Sequence, residues 1–356
     1  MFKGEPADPD DSTAIWRLGG LAEDAGDMEL AKSWYQKAAD LGDSDGMDGL
    51  GVLAHMEGDL ELAKSWWYKA ADLDNPAAIE RLTALGDSRG MLGLGWFASD
   101  AGDLELAESW WQKAAELGNT KAMFNLGFLA YKEGDLVLAE SWWQKAAELG
   151  DTNGMFNLGV LAYKAGDLEL AESWYEKAAD LGHPDAMYHL GNLAHDAGDL
   201  VLADSWRQKA ADLGNLNGMV DLGRLAEKAG DLELAESWWQ KAADLGNADG
   251  MYGLGDLASR AGDTALAKSW YQKATDLGNS DGMWGLGNLA YAAGDMALAE
   301  SWYRKAADLS NAYAMASLGM LADNAGDMVL AESWYQKAAD AGNQFAIDEL
   351  ARLAAS

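Results

Sequence analysis

The sequence predicts an all-α fold, an α-solenoid of ten 32-residue helical hairpins closed by a C-terminal capping helix. Three observations carry that prediction. A Ser-Trp pair recurs at Ser33, Ser65, Ser109, Ser141, Ser173, Ser205, Ser237, Ser269, Ser301 and Ser333, every step being 32 residues except the 44 between Ser65 and Ser109. Within a unit, two apolar stripes follow the i, i+3, i+4, i+7 spacing of a helix face. Gly-Asp separates the stripes, and a Gly followed by Asn or Asp usually closes the second, the pattern that ends one helix and caps the next.

The chain divides accordingly. Residues 1–11 form an N-terminal tail and residues 12–75 hold the first two repeats. Residues 76–87, PAAIERLTALGD, are a lone first helix inserted without its partner. They read either as a longer connection left by a duplication or as a break in the superhelix that supplies a hinge or an oligomer contact. Repeats three to ten fill 88–343. Residues 344–356 are a capping helix, with Phe345, Ile347, Leu350 and Leu353 on one face.

The unit Thr120 to Asp151 shows the design: Met123, Leu126, Gly127 and Ala130 form the stripe of the first helix. Asp135 caps the second, whose stripe is Leu136, Ala139, Trp143 and Ala146, widened by Leu138, Trp142 and Leu149. A hairpin this small cannot bury both stripes alone, and stacking against neighbours removes the deficit. A buried Trp contributes about 4–6 kcal/mol before entropy at about 25 cal/mol per Å². The outer face of the second helix, with Glu105, Glu108, Gln112 and Glu116 and Lys113 interleaved, reads as solvated.

The stretch NLGFLAYKEGDLVLAESWWQKAAEL resembles a tetratricopeptide repeat, with Leu126-Gly127 in its first helix and Ala139 and Trp143 in its second. The segment AESWWQKAAELG is closer to the Sel-one-like branch of that superfamily. The resemblance covers residues 12–356. It implies a right-handed superhelix and a non-enzymatic scaffold that binds peptides or proteins in a concave groove lined by first helices. The 32-residue unit and its two-residue Gly134-Asp135 turn depart from both patterns, which bears on pitch and groove width. The peptide-carboxylate clamp of some tetratricopeptide domains is not carried over: Asn125 and Asn157 are present, but no matching row of Lys and Arg accompanies them.

Comparing copies within the chain separates residues that hold the repeat from those that vary. The variable places are the second, fifth, ninth, twelfth and thirteenth of each first helix, and they fall on one stripe. The first two units present Trp16, Glu23, Asp24, Asp45, Asp48 and His55 there. The middle is aromatic: Trp96, Phe124, Phe128, Tyr131, Phe156, Tyr163 and Tyr188, with Lys121, Lys132 and Lys164. Later units offer Asp221, Arg224, Glu227, Asp249, Tyr252, Asp256, Trp284, Asn288 and Tyr291. The middle set is the candidate partner-binding groove, an aromatic floor suited to a protein or peptide with an apolar anchor and basic flanks. The competing reading is that the fifth-place aromatics only pack against the adjoining helix. Trp96 and Phe128 stand apart from it, because their place holds Gly20, Asn192 or Asp256 in other copies.

Charge points the same way. With 59 Asp and Glu against 26 Lys and Arg, the net charge is −33, which repels nucleic acid and anionic membranes and favours cationic partners or simple solubility. Cysteine is absent, so no disulfide or thiolate site is expected. His189 and His195 are six apart on one predicted helix, the wrong spacing for a shared metal ion. No phosphate loop, calcium loop or nucleophile with a placed base is found. No catalytic, cofactor or metal residues are therefore assigned, and an enzyme is not expected. The first residues lack a secretory pattern and no apolar run is long enough to span a bilayer, so a cytoplasmic location is the default. Two alternatives to the scaffold are a self-assembling solenoid, prompted by Trp16 near an uncapped end, and an acidic mimic of nucleic acid.

Overall fold

Helices start where a short side-chain acceptor precedes an apolar run. The Ala122 amide donates to Asn119 Oδ1 at 3.0 Å and the Leu138 amide to Asp135 Oδ1 at 2.9 Å, meeting donors that a helix N-terminus leaves open. Most turns end on a left-handed glycine, such as Gly150 at φ 86°. That conformation costs a residue with a Cβ about 1–2 kcal/mol. Asp74 at φ 58° and Ser310 at φ 62° adopt it without that freedom.

The computed structural model describes residues 11–354. The expected tail lies outside the described residues except for Asp11, which caps the first helix, and so do the last two residues of the expected cap. Twenty-two helices and no strand occur among the described residues. They divide into two compact units at Leu181–Gly182.

In the first unit the order is α1 (Ser12–Asp24), α2 (Met28–Asp40), α3 (Ser44–Met56), α4 (Leu60–Ala71), α5 (Pro76–Ala84), α6 (Ser88–Asp100), α7 (Leu104–Glu116), α8 (Thr120–Glu133), α9 (Leu136–Glu148), α10 (Thr152–Ala165) and α11 (Leu168–Asp180). The second holds α12 (Pro184–Asp196), α13 (Leu200–Asp212), α14 (Leu216–Lys228), α15 (Leu232–Asp244), α16 (Ala248–Arg260), α17 (Thr264–Asp276), α18 (Ser280–Ala292), α19 (Met296–Asp308), α20 (Ala312–Asn324), α21 (Met328–Asp340) and α22 (Gln344–Ala354). Within each unit successive helices pack as antiparallel hairpins, and each hairpin packs on the next.

One residue per hairpin locks the pair together. Trp143 on α9 is buried against α8, where a Cβ on Gly127 would stand 2.5 Å from its Nε1. Nothing larger than glycine fits that approach. Tyr35, Trp67, Trp111, Tyr175, Trp239, Tyr271, Tyr303 and Tyr335 repeat the arrangement. The preceding Trp has a different role. Trp142 is half-buried and Lys145 Nζ lies 4.1 Å from its ring centroid. The same Lys-over-Trp pair recurs in all ten hairpins, at 3.9–5.9 Å. Lys113 and its counterparts are thus cation–π partners, not simply charges interleaved among the outer carboxylates.

The second helix is covered on fewer sides than its apolar pattern suggests. Leu136, Leu138 and Leu149 are 51%, 41% and 57% exposed, because Ala139, Trp143, Ala146 and Ala147 already fill the buried side of α9. The cap differs in a related way. On α22 the packing residues are Ala346, Leu350 and Leu353, whereas Phe345 and Ile347 are exposed. Ile79, the matching residue of α5, is buried because Gly93 of α6 closes over it. No helix follows Ile347 among the described residues. The inserted α5 lies inside the first unit, with Ala78, Ile79 and Leu82 buried and Arg81 Nε donating to Asp48 Oδ1 of α3 at 3.0 Å.

Candidate partner-binding face

First helices of the first unit carry nine of the ten sequence-selected residues. On α6, Trp96 is 49% exposed and edges against Trp111 at 6.0 Å. It lines an open pocket of about 520 Å³ with Ile79, Leu92, Arg89 and Lys121, and with Asp72 and Asp74 from the α4–α5 connection. The inserted α5 contributes Ile79 to its lining. Arg89 lines this pocket beside Trp96 and Lys121 and was missed by the repeat comparison. It sits at a second place, where its departure from the common Asp or Asn was visible, and its guanidinium lies 4.2 Å from the Tyr68 ring centroid.

On α8 the selected residues split into two groups. Phe124 is half-buried, and its carbonyl accepts the Trp143 indole N–H at 3.2 Å. Tyr131 is half-buried against Trp143 at 5.8 Å. Phe128 is 45% exposed, with Lys132 Nζ 4.8 Å from its ring. Lys164 of α10 reaches across to Tyr131: its amine donates to the Tyr131 hydroxyl and stands 5.1 Å from the ring centroid. Phe156 packs on Tyr175 at 5.8 Å, while Tyr163 is exposed. The face thus offers Trp96, Phe128 and Tyr163 outward, with Lys121, Lys132 and Lys164 among them. Phe124, Tyr131 and Phe156 are seated partly in the scaffold.

Tyr188 belongs to the second unit. Its hydroxyl donates to Asp221 Oδ2 at 3.2 Å. Burial, then the nearby Asp221 charge, pushes its pKa up. Asp221 also lies 3.3 Å from Arg224 and 3.7 Å from the buried Arg207, so Tyr188 is one spoke of a polar node. A second aromatic pocket of about 470 Å³ occurs in the same unit, where Trp284 stacks on Tyr313 at 5.4 Å beside Met320 and Phe345. Trp284 was visible as a variable residue. Tyr313, at a second place, is equally legible as a departure from the repeat.

The histidines disperse. His183 caps α12 by accepting the Ala186 amide on Nδ1 at 3.3 Å, and burial lowers the pKa of His189. Among the described residues no group of three or more His, Asp or Glu is placed to hold a metal ion, and no helix is long and apolar enough to cross a membrane.

Comparison with known proteins follows the same units. The Sel1 repeat matches residues 12–43, 45–75, 88–119, 120–151, 152–183, 184–215 and 312–343. The tetratricopeptide repeat matches 220–282 and 252–314. Residues 76–87 fall outside both. Among solved structures, a protective antigen of uropathogenic Escherichia coli with an SLR fold is 24% identical, covering 97% of this chain and 88% of its own, with a TM-score of 0.61. A Sel1 repeat protein from Oxalobacter formigenes is 26% identical over 77% of this chain and 90% of its own, with a TM-score of 0.52. No curated protein matches.

Proposed function

The chain belongs to the Sel1 repeat family, and from that premise we propose that it is a non-enzymatic scaffold binding a protein or peptide along a groove of first helices. Sel1 and tetratricopeptide repeats generally mediate protein–protein interaction. The observation that carries the reading is the exposure of Trp96 and Phe128, at 49% and 45%. Both are large apolar rings at a place where no other copy has an aromatic residue, and both lie on the face from which repeat scaffolds bind. Exposed rings ringed by polar groups are what binding hot spots are made of. The partner contributes an apolar anchor. Its basic flank faces the carboxylates of α1 and α3, among them Glu23, Asp24 and Asp45.

Phe128→Ala tests this more cleanly than a double change with Phe124, whose half-buried ring also supports α9. Peptides selected on the immobilised chain from a random library should lose about 30-fold in affinity, the size of a loss of about 2 kcal/mol at a hot spot. Val201→Ala, on an exposed second-helix face, is the control. Equal affinity for both variants would place the site elsewhere.

A further inference from the structure

The charge of the whole chain and the charge of the candidate groove have opposite sign. The chain carries −33, yet α8 and α10 carry Lys121, Lys132 and Lys164 against the single carboxylate Glu133. No other first helix carries a net positive charge: α6 and α14 balance, while α3 has Asp45 and Asp48 and α12 has Asp185 and Asp196 with no Lys or Arg on the same helix. The cations also differ in their state. Four first-helix arginines elsewhere sit against carboxylates, Arg81 on Asp48, Arg224 on Asp221, Arg260 on Glu227 and Asp256, and Arg352 on Asp323 and Glu349, whereas Arg89 lies over the Tyr68 ring. Among the described residues, Lys121, Lys132 and Lys164 have no carboxylate within 4 Å. Lys132 and Lys164 instead lie over the aromatic rings of Phe128 and Tyr131.

Magnitude decides which charge a bound segment meets. At physiological salt the screening length is about 8 Å, so the outer carboxylates act on encounter and the lysines act on contact. Resting these ammonium groups on rings leaves their charge uncompensated by any anion, so a carboxylate that docks there displaces no existing ion pair.

We propose that the segment seated on α8 and α10 is acidic, an apolar anchor followed by Asp or Glu side chains that engage Lys132 and Lys164. The inference rests on the groove reading above and sharpens its partner: a basic stretch faces α1 and α3, and an acidic stretch faces α8 and α10. Asp72 and Asp74 also line the α5–α6 pocket beside Lys121, so that mixed pocket takes the anchor and not the acidic run.

The test uses the full chain and two labelled peptides, each acetylated and amidated, with one Trp and either three Glu or three Lys on its C-terminal side. At physiological ionic strength the Glu peptide is expected to bind at least about tenfold tighter, although the net charge of the protein favours the Lys peptide. Changing both cations, Lys132→Gln with Lys164→Gln, should remove most of that preference, and both side chains are exposed, so the fold tolerates the change. Phe128→Ala should weaken both peptides alike. Tighter or equal binding of the Lys peptide, still sensitive to Phe128→Ala, overturns the acidic assignment and leaves the groove standing. Binding of neither peptide that responds to Phe128→Ala overturns the groove and this inference with it. A third peptide lacking Glu but ending in a free carboxylate must bind more weakly than the Glu peptide. Equal binding would put a chain terminus in place of acidic side chains.

Discussion

Replacing Arg207 by tyrosine together with Asp221 by serine is expected to stabilise the stretch around α13 and α14, although each change alone destabilises it. Position 207 is the buried slot that holds Tyr or Trp in every other hairpin. Arg207 is only 7% exposed there. Its Nη1 lies 3.4 Å from Asp204, and its Nε stands 3.7 Å from Asp221 without forming a hydrogen bond. The contact to Asp221 is thus electrostatic and loosely made, while the guanidinium bears the full desolvation of the slot. Buried pairs of this kind are commonly neutral to about 4 kcal/mol less stable than packed apolar replacements, and removing one partner costs about 3–5 kcal/mol. Because the Asp221 side chain is 24% exposed and the Asp204 side chain 50%, solvent screens part of that loss. About 1–3 kcal/mol is expected for Asp221→Ser alone. Arg207→Tyr alone strands Asp221 beside a ring but leaves it Arg224 and the Tyr188 hydroxyl, and a similar loss of about 1–3 kcal/mol follows from overpacking. The double change recreates the natural pair Tyr303 and Ser317, which occupies the equivalent slot between α19 and α20. The gain should be about 1–3 kcal/mol relative to the unchanged chain. Stacked repeats do not unfold in one step, so the assay is native-state hydrogen exchange read on peptides covering residues 200–230. A double variant that exchanges faster than the unchanged chain would refute the argument that this ion pair is a net burden.

Two further outcomes can be checked. Ser310→Gly should stabilise the α19–α20 turn by about 1 kcal/mol, because Ser310 holds φ at 62° where nearly every other turn has glycine; an unchanged melting profile would show that the turn bears no strain. Tyr68, Tyr175, Tyr303 and Tyr335 are each pushed up to about 12, first by burial. A raised phenol favours the neutral folded form, so its contribution is fully present below the ordinary phenol value of 10.0 and disappears as pH rises through about 12. Ultraviolet titration should therefore show most phenolate forming together with the loss of helix, and complete ionisation below about pH 11 with helix intact would contradict the burial.

The hairpin boundaries were legible because three independent signals coincide at each of them: the end of an apolar stripe, a glycine and a carboxamide or carboxylate cap. Asn119, Asp135 and Gly150 show all three. Burial within a helix was less legible. A stripe tells which side is apolar but not how far a neighbour extends over it, so Leu136, Leu138 and Leu149 read as core and are exposed. Trp142 and Trp143 are adjacent letters about 100° apart on the helix, and only packing reveals that the second fills the core while the first carries Lys145. Part of the candidate site was readable as departures from the repeat, Phe128 and Trp96 above all. Arg89 was a departure too, at a second place, but the pocket that it lines with Ile79 was not legible, since it is formed by the packing of α5, α6 and α8.

Departures from a repeat have two physical origins, and the structure separates them. A departure answered by a second one in contact is compensation: Asp221 is unusual among its counterparts because Arg207 is unusual across from it. Counting Asp221 as a recognition residue would mistake repair for function. Phe128 behaves differently. Lys132 lies over its ring, but Lys164 recurs at the same place one repeat later, where the counterpart of Phe128 is Val160, so the lysine does not depend on the phenylalanine. Neither residue satisfies a need of the fold: Phe128 is nearly half exposed and Lys132 has no ion pair among the described residues. Substitutions that stability does not require, and that are not answered by a neighbour, are best explained by something outside the chain. That criterion selects the exposed half of the sequence-derived set, Trp96, Phe128, Tyr163 and the lysines among them, over Phe124, Phe156 and Tyr188, whose surroundings already account for them.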